Sequence, residues 1–148
     1  MRTLLLLLCL CGVASADYRE TEDWYVRAIA RKLEKQGCTD IKINPVVRDN
    51  KRRVTYADLT WTDKQGLEWV AEVDFAEKWA EGVGQVLYYS YETQKNGALF
   101  LIRTNRSKLD MAYHHRAFIA LAPLRGKLEG NSQLPIYMLG WEKEKYDN

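Results

Sequence analysis

Two acids stand two apart at Glu72 and Asp74, Lys78 follows, and Glu81, Gln85 and Tyr89 continue from it at spacings of three, four and four. A further acid, Asp58, precedes them by the length of one hairpin. Carboxylates held near each other repel, which raises the pKa of one unless a cation neutralises them. Hard divalent ions such as Mg²⁺ remove that conflict, taking oxygen ligands from one or two carboxylates, waters and substrate phosphate. A lysine beside metal and phosphate stabilises charge developing in the transition state or positions an attacking water. The plainer alternative makes Asp74 a helix cap, Lys78 and Glu81 an exposed pair of small energetic weight, and Gln85 and Tyr89 interfacial residues.

Both readings need elements to hold these side chains. Residues 67–75 alternate, sending Leu67, Trp69, Ala71, Val73 and Phe75 to one face and Glu68, Val70, Glu72 and Asp74 to the other. On the strand before it, Asp58 is expected to share a face with Val54 and Tyr56, opposite Thr55, Ala57, Leu59 and Trp61. Pairing of the two strands through the TDKQG turn brings Asp58 close to Glu72. From Glu77 to about Thr93 the period turns helical, so Lys78, Glu81, Gln85 and Tyr89 form one stripe.

Around this centre, residues 19–36 read as an amphipathic helix with acids in its first turns, ended by Gly37. The segments CTDIKINPVV, RRVTYADLTW and LEWVAEVDF read as a meander of three strands, with Pro45 pushing the first toward an edge or an early end. QKNG then closes the second helix before the buried-strand run ALFLI, KLDMAYHHRAFIALA is helical up to Pro123, and LPIYMLGW is a last strand. The expected fold class is α/β: an αβββαβ core, a mixed central sheet flanked by helices, with an extra C-terminal α-β.

The order Asp58, Glu72-Val73-Asp74, Lys78 and Gln85-Val86-Leu87-Tyr88-Tyr89 on this arrangement resembles the PD-(D/E)xK nuclease superfamily, whose fold is that of restriction endonucleases. The stretch VDFAEKWAEGVGQVLYY is similar to segments of small bacterial and phage members, and Gln85 with Tyr89 fits the Q-x-x-x-Y helix of the RecB-like branch. The resemblance covers roughly residues 20–103. It implies a Mg²⁺-dependent nuclease, Mn²⁺ being a possible substitute, in which Asp58 and Glu72 bind metal and Lys78 orients or activates water. It also implies that Gln85 and Tyr89 contact nucleic acid or brace the site. Asp74 stands where the family's lysine usually does. It is either a third metal ligand beside a lysine moved to the helix, or the mark of a nuclease-like domain that binds nucleic acid or protein without cleaving.

Composition limits the partners. With 22 basic and 20 acidic residues the chain is close to charge balance, which excludes a generic polycation. Local basic clusters remain, RDNKRR and RTNRSK, in which Arg52, Arg53, Arg103 and Arg106 suit a nucleic-acid backbone, DNA rather than RNA being the expected partner. Residues 1–16, MRTLLLLLCLCGVASA, carry one early arginine, an apolar run from Leu4 to Leu10 and small residues at 14–16. This is the pattern of a cleavable secretory signal, so an exported domain spanning 17–148 is expected, periplasmic or extracellular. Cleavage would leave Cys38 without an intramolecular disulfide partner, and the core must then hold the fold. His114 and His115 are adjacent on a helix and point about 100° apart, a poor geometry for one metal. A small exported interaction protein with an acidic face is the remaining alternative.

Overall fold

Thr21 starts the first helix, α1 (Glu22–Lys35), its hydroxyl accepting the Trp24 N–H at 3.4 Å. Glu22 and Asp23 stand in the first turn and Lys32 and Lys35 in the last, each sign at the end of the helix dipole that favours it. Gly37 ends the helix at φ +80°, so that Gly37 N–H reaches Glu34 O at 2.9 Å and Cys38 N–H reaches Leu33 O at 3.0 Å. That paired closure needs a left-handed residue, and glycine supplies it without strain. The computed structural model describes residues 21–50, 53–103, 107–121 and 136–139. The segment read as a signal, 1–16, lies outside them, as do Arg52 and Arg106. Among the described residues no helix is long and apolar enough to cross a membrane.

The expected three-strand meander is corrected to five strands: β1 (Thr39–Ile43), β2 (Val46–Asn50), β3 (Arg53–Tyr56), β4 (Leu59–Thr62) and β5 (Glu68–Phe75). Two breaks at the same level cut the first two segments. Asn44 adopts φ +52° just before Pro45, and the chain bends again at Ala57 and Asp58. Backbone bonds Asn44 N–H to Asp58 O (3.0 Å) and Ala57 N–H to Pro45 O (3.1 Å) tie the breaks together. Beyond them β2 and β3 form a separate two-stranded ribbon, with Arg48, Asp49 and Asn50 in β2.

The main sheet has the order β1-β4-β5-β6-β7, with β6 at Asn96–Ile102 and β7 at Ile136–Leu139. Strands β1, β4 and β5 are antiparallel neighbours, while β5, β6 and β7 run parallel. The parallel strands need crossovers, supplied by α2 (Trp79–Thr93) and α3 (Ser107–Leu121). The protein is therefore a mixed α/β fold with a mixed sheet flanked by helices. The second helix is preceded by a 3-10 turn, Ala76–Lys78, which sets Lys78 at its N-cap position. Strand β6 begins earlier than expected, taking Asn96 and Gly97 from the QKNG segment, because Gln94 at φ +55° has already ended α2.

Both faces of the sheet are buried. On one, Tyr25, Val26 and Ile29 of α1 pack on Leu59, Trp61, Trp69, Ala71, Val73, Phe100 and Ile102. Trp61 and Trp69, opposite each other on β4 and β5, stack at 5.8 Å, and Trp69 Nε1 donates to Asp63 at 2.9 Å, so the indole polar atom is satisfied. On the other face Val83 and Val86 of α2 and Ala117 and Leu121 of α3 cover Leu99 and Leu101. Gly82 permits this approach. A Cβ there would lie 2.9 Å from Leu99 Cδ1 and 3.6 Å from Asp74 Cβ, closer to the leucine than packing allows.

Candidate functional site

Antiparallel register sets the first part of the site. Leu59 pairs with Ala71, and one step further Asp58 N–H donates to Ala71 O at 3.2 Å, placing Asp58 beside Glu72. Its carboxylate is aimed by the backbone, since Oδ2 accepts Val73 N–H at 2.7 Å. Asp58 thus reaches Glu72 as expected, but from a bend and not from a strand. The bend also overturns the expected face pattern: Ala57 packs with Val70 and Tyr89 under α2, whereas Leu59 and Trp61 face α1. A period of two cannot survive a bend between the residues it relates.

Asp58, Glu72 and Asp74 line one cavity of about 310 Å³ at the carboxyl end of β5, where α1 and α2 both begin. Glu22 and Asp23 of α1, Asn44 of the first break, and Lys78, Glu81 and Gln85 of the following turn and helix complete its wall. Burial pushes the Glu72 carboxyl up to about 9, reinforced by the charges of Asp58, Asp74 and Glu22. Burial likewise raises Asp58, against the pull of the Val73 N–H, and the two carboxyls hydrogen-bond each other. Asp74, 2% exposed, is raised to about 7 by burial and by a hydrogen bond shared with Glu22, with Lys78 opposing. It is not the cap of α2: its Oδ1 accepts Phe75 N–H at 2.8 Å, and α2 has no side-chain cap.

Lys78 reaches back over the cavity. Its Nζ lies 3.5 Å from Asp74 Oδ1 and 3.8 Å from Glu22 Oε1, and the two acids, Asp74 foremost, raise its pKa. One turn deeper, Gln85 Nε2 meets the Tyr89 hydroxyl at 3.5 Å, while Gln85 Oε1 is buried without a hydrogen-bond partner. Tyr89 is buried, and its hydroxyl is raised to about 12 by burial and by the neighbouring Glu72 charge, with which it hydrogen-bonds. Tyr89 therefore supports Glu72 from behind and is itself met by Gln85; Tyr89 is too enclosed to touch a large substrate.

The arginines are elsewhere. Arg53 opens β3 on the exposed ribbon, and Arg103, just after β6, lies with Nε 3.6 Å from the buried Asp110 of α3. Neither lines the cavity. The residues that sequence reasoning missed are Glu22, Asp23 and Asn44. The acids fitted a helix-dipole role in the first turn, and nothing local in the sequence signals that α1 begins over the end of β5. A larger hollow of about 500 Å³ between α1 and β1 holds Cys38. Burial raises that thiol, which leaves it without the thiolate character a nucleophile needs.

As they stand, no three His, Cys, Asp or Glu side chains among the described residues converge as a ready metal-holding group. Asp58 and Glu72 are turned to each other, and Asp74 to Lys78. The donor set nevertheless suits a hard divalent cation: oxygen-only ligands, neighbouring on the backbone, whose ionisation is opposed by burial and by one another. No protein-family model, curated protein or solved structure matches the chain.

Proposed function

We propose that this chain is a Mg²⁺-dependent nuclease with a restriction-endonuclease-like core, Mn²⁺ serving as an alternative ion. The observation that carries the reading is the meeting of Asp58, Glu72 and Asp74 in one cavity with Lys78 at its mouth. Asp58, Glu72 and Asp74 would hold the ion, which supplies a water of lowered pKa and neutralises phosphate charge. Asp58 is anchored by the Val73 N–H and Glu72 by Tyr89, which would limit how far either carboxylate moves to meet the ion. Lys78 carries the positive charge toward the scissile phosphate and the attacking water, from the helix rather than from the strand. Gln85, with an acceptor atom left over, hydrogen-bonds a group entering the cavity. Arg52, Arg53 and Arg103 would contact the nucleic-acid backbone, a contact weakened by salt and blind to sequence. DNA is the favoured substrate, and residues 1–16 would export the enzyme, keeping it from the chromosome.

Asp74 in the place of the usual lysine favours a second reading, a domain that binds nucleic acid without cleaving it. The deciding experiment incubates purified protein with single-stranded DNA, duplex DNA and RNA in Mg²⁺, Mn²⁺ or chelator, beside Glu72→Ala and Lys78→Ala. The expected result is metal-dependent cleavage lost in Glu72→Ala and cut to a residual rate in Lys78→Ala. Binding that persists in chelator, with no cleavage by folded protein at any metal concentration, would replace the hydrolase with the inert binder.

A further inference from the structure

Glu22 is the one acid of the cavity wall that touches the lysine without sharing its segment of chain. It is the first residue of α1, and its Oε1 is 3.8 Å from Lys78 Nζ, while Asp74, four residues before Lys78, is 3.5 Å from the same ammonium. We propose that Glu22 is a positioning residue for Lys78, holding the ammonium at the cavity mouth when Asp74 turns inward to a cation. The inference rests on the reading of this cavity as a metal-dependent phosphodiester hydrolase.

Helix stability alone does not explain where Glu22 points. Thr21 already caps α1, and Asp23 answers the dipole from the same turn while pairing with Arg27 at 2.8 Å. An acid facing solvent would serve the dipole equally well. Directed into the cavity, Glu22 instead sits beside the buried Asp74 and within the field of Glu72, and both carboxyls are raised by it. Lys78, 3.8 Å from Glu22 and 3.5 Å from Asp74, is the cation that answers this crowding of acids.

Lysine needs this kind of help. Its ammonium is a point charge on a flexible stem, and that rotamer freedom is lost when it is fixed. Lys78 is half exposed, at the end of a 3-10 turn, and its placement depends on carboxylates. The Asp74 carboxylate cannot face Lys78 and a metal ion at once, and a bound cation repels the ammonium. Glu22 comes from a different element, so it does not follow Asp74 inward. It keeps the positive charge near the mouth, where substrate phosphate must arrive. Glu81, also on the wall, acts on Lys78 more weakly than Asp74 and Glu22 do.

The test compares Glu22→Gln, Glu22→Asp, Lys78→Ala and the Glu22→Gln/Lys78→Ala double variant. Turnover is measured on single-stranded DNA, Mg²⁺ affinity by calorimetry on substrate-free protein, and Lys78 exposure by its rate of reductive methylation in saturating Mg²⁺. The expected result is a fall in kcat of about 10- to 100-fold in Glu22→Gln, the scale of outer residues that orient a catalytic group. KM and Mg²⁺ affinity stay within about threefold, the aspartate variant recovers part of the loss, and Lys78 is methylated faster. In the Lys78→Ala background Glu22→Gln then has no further effect, because there is no ammonium left to place. Unchanged kcat in Glu22→Gln, an equal loss in the Lys78→Ala background, or a tenfold loss of Mg²⁺ affinity would each overturn the inference; the last would make Glu22 a ligand. A wild-type protein that binds Mg²⁺ and cleaves nothing overturns the hydrolase reading, and this inference with it.

Discussion

Glu72→Gln should make the metal-free protein more stable at alkaline pH, although it removes a central residue of the site. Glu72 binds its proton more tightly in the folded chain, at about 9 against an ordinary 4.5. Its contribution to stability is therefore fully present below 4.5 and is lost as the pH rises through that window, at up to about 1.4 kcal/mol per pH unit. Between about pH 5 and pH 8 a single isolated site would lose about 4 kcal/mol; sharing of the proton with Asp58 and entry of water reduce the expected loss to about 2 kcal/mol. Glutamine has the same shape, donates to Asp58 through its amide and accepts from Tyr89, and it does not ionise. Urea unfolding in chelator at several pH values measures both proteins. The wild type should lose stability toward pH 8, and Glu72→Gln should lose much less, so the curves diverge by about 2 kcal/mol. Mg²⁺ at about 100 times its Kd should return about 2.7 kcal/mol to the wild type at pH 8 and little to the variant. Parallel pH profiles for the two proteins, or a variant less stable at pH 8, would refute the account of Glu72 as a buried acid awaiting a cation.

Three other substitutions separate the site from its scaffold. Tyr89→Phe leaves Glu72 and Gln85 short of a hydrogen bond, so about 1 kcal/mol of stability and about 10- to 100-fold in activity or Mg²⁺ affinity should be lost, read by unfolding and calorimetry. Gly82→Ala drives a methyl against Leu99 and lifts α2 from β5, which should destabilise by about 1–3 kcal/mol and weaken Mg²⁺ binding as Asp74 shifts; preserved Mg²⁺ affinity would separate the helix approach from the site. Asp63→Ala removes an acceptor that holds Gln65 N–H, Leu67 N–H and Trp69 Nε1, each at 2.9 Å. It should lower stability by about 2 kcal/mol while Mg²⁺ affinity is unchanged, since the turn lies at the far end of the β4–β5 pair.

How far the sequence disclosed this molecule depends on the range of the interactions involved. The alternation along β5 was legible because a strand's period is local, and so was the stripe from Lys78 to Tyr89, since a helix repeats within one turn. The TDKQG turn set the β4–β5 register, and register alone delivered Asp58 to Glu72. The ribbon was not legible. Nothing in IKINPVV or RRVTYADL marks that two breaks, at Asn44 and at Asp58, would bond to each other across the sheet edge. Pro45 warned of the first break only. The mixed sheet followed from hairpin and crossover lengths, but the additional strands came from those paired breaks.

Glu22 was illegible for a different reason, since one residue type answered two demands. An acid in the first turn of a helix satisfies local physics completely, so the sequence offers no surplus to explain. The surplus appears only when α1 is laid across the sheet and its first residue comes to rest against Lys78, 56 positions further along the chain. The same reasoning bears on the whole cavity. Buried carboxyls with raised pKa values weaken a fold that could replace them with apolar or amide side chains of equal size. Here burial and mutual repulsion both act on Asp58, Glu72 and Asp74, while the backbone N–H groups of Val73 and Phe75 and the Tyr89 hydroxyl keep them in place. Acids whose ionisation burial opposes, yet which are held by specific contacts, are what the proposed cation site requires, and Glu72→Gln tests whether stability or a cation is the reason for them.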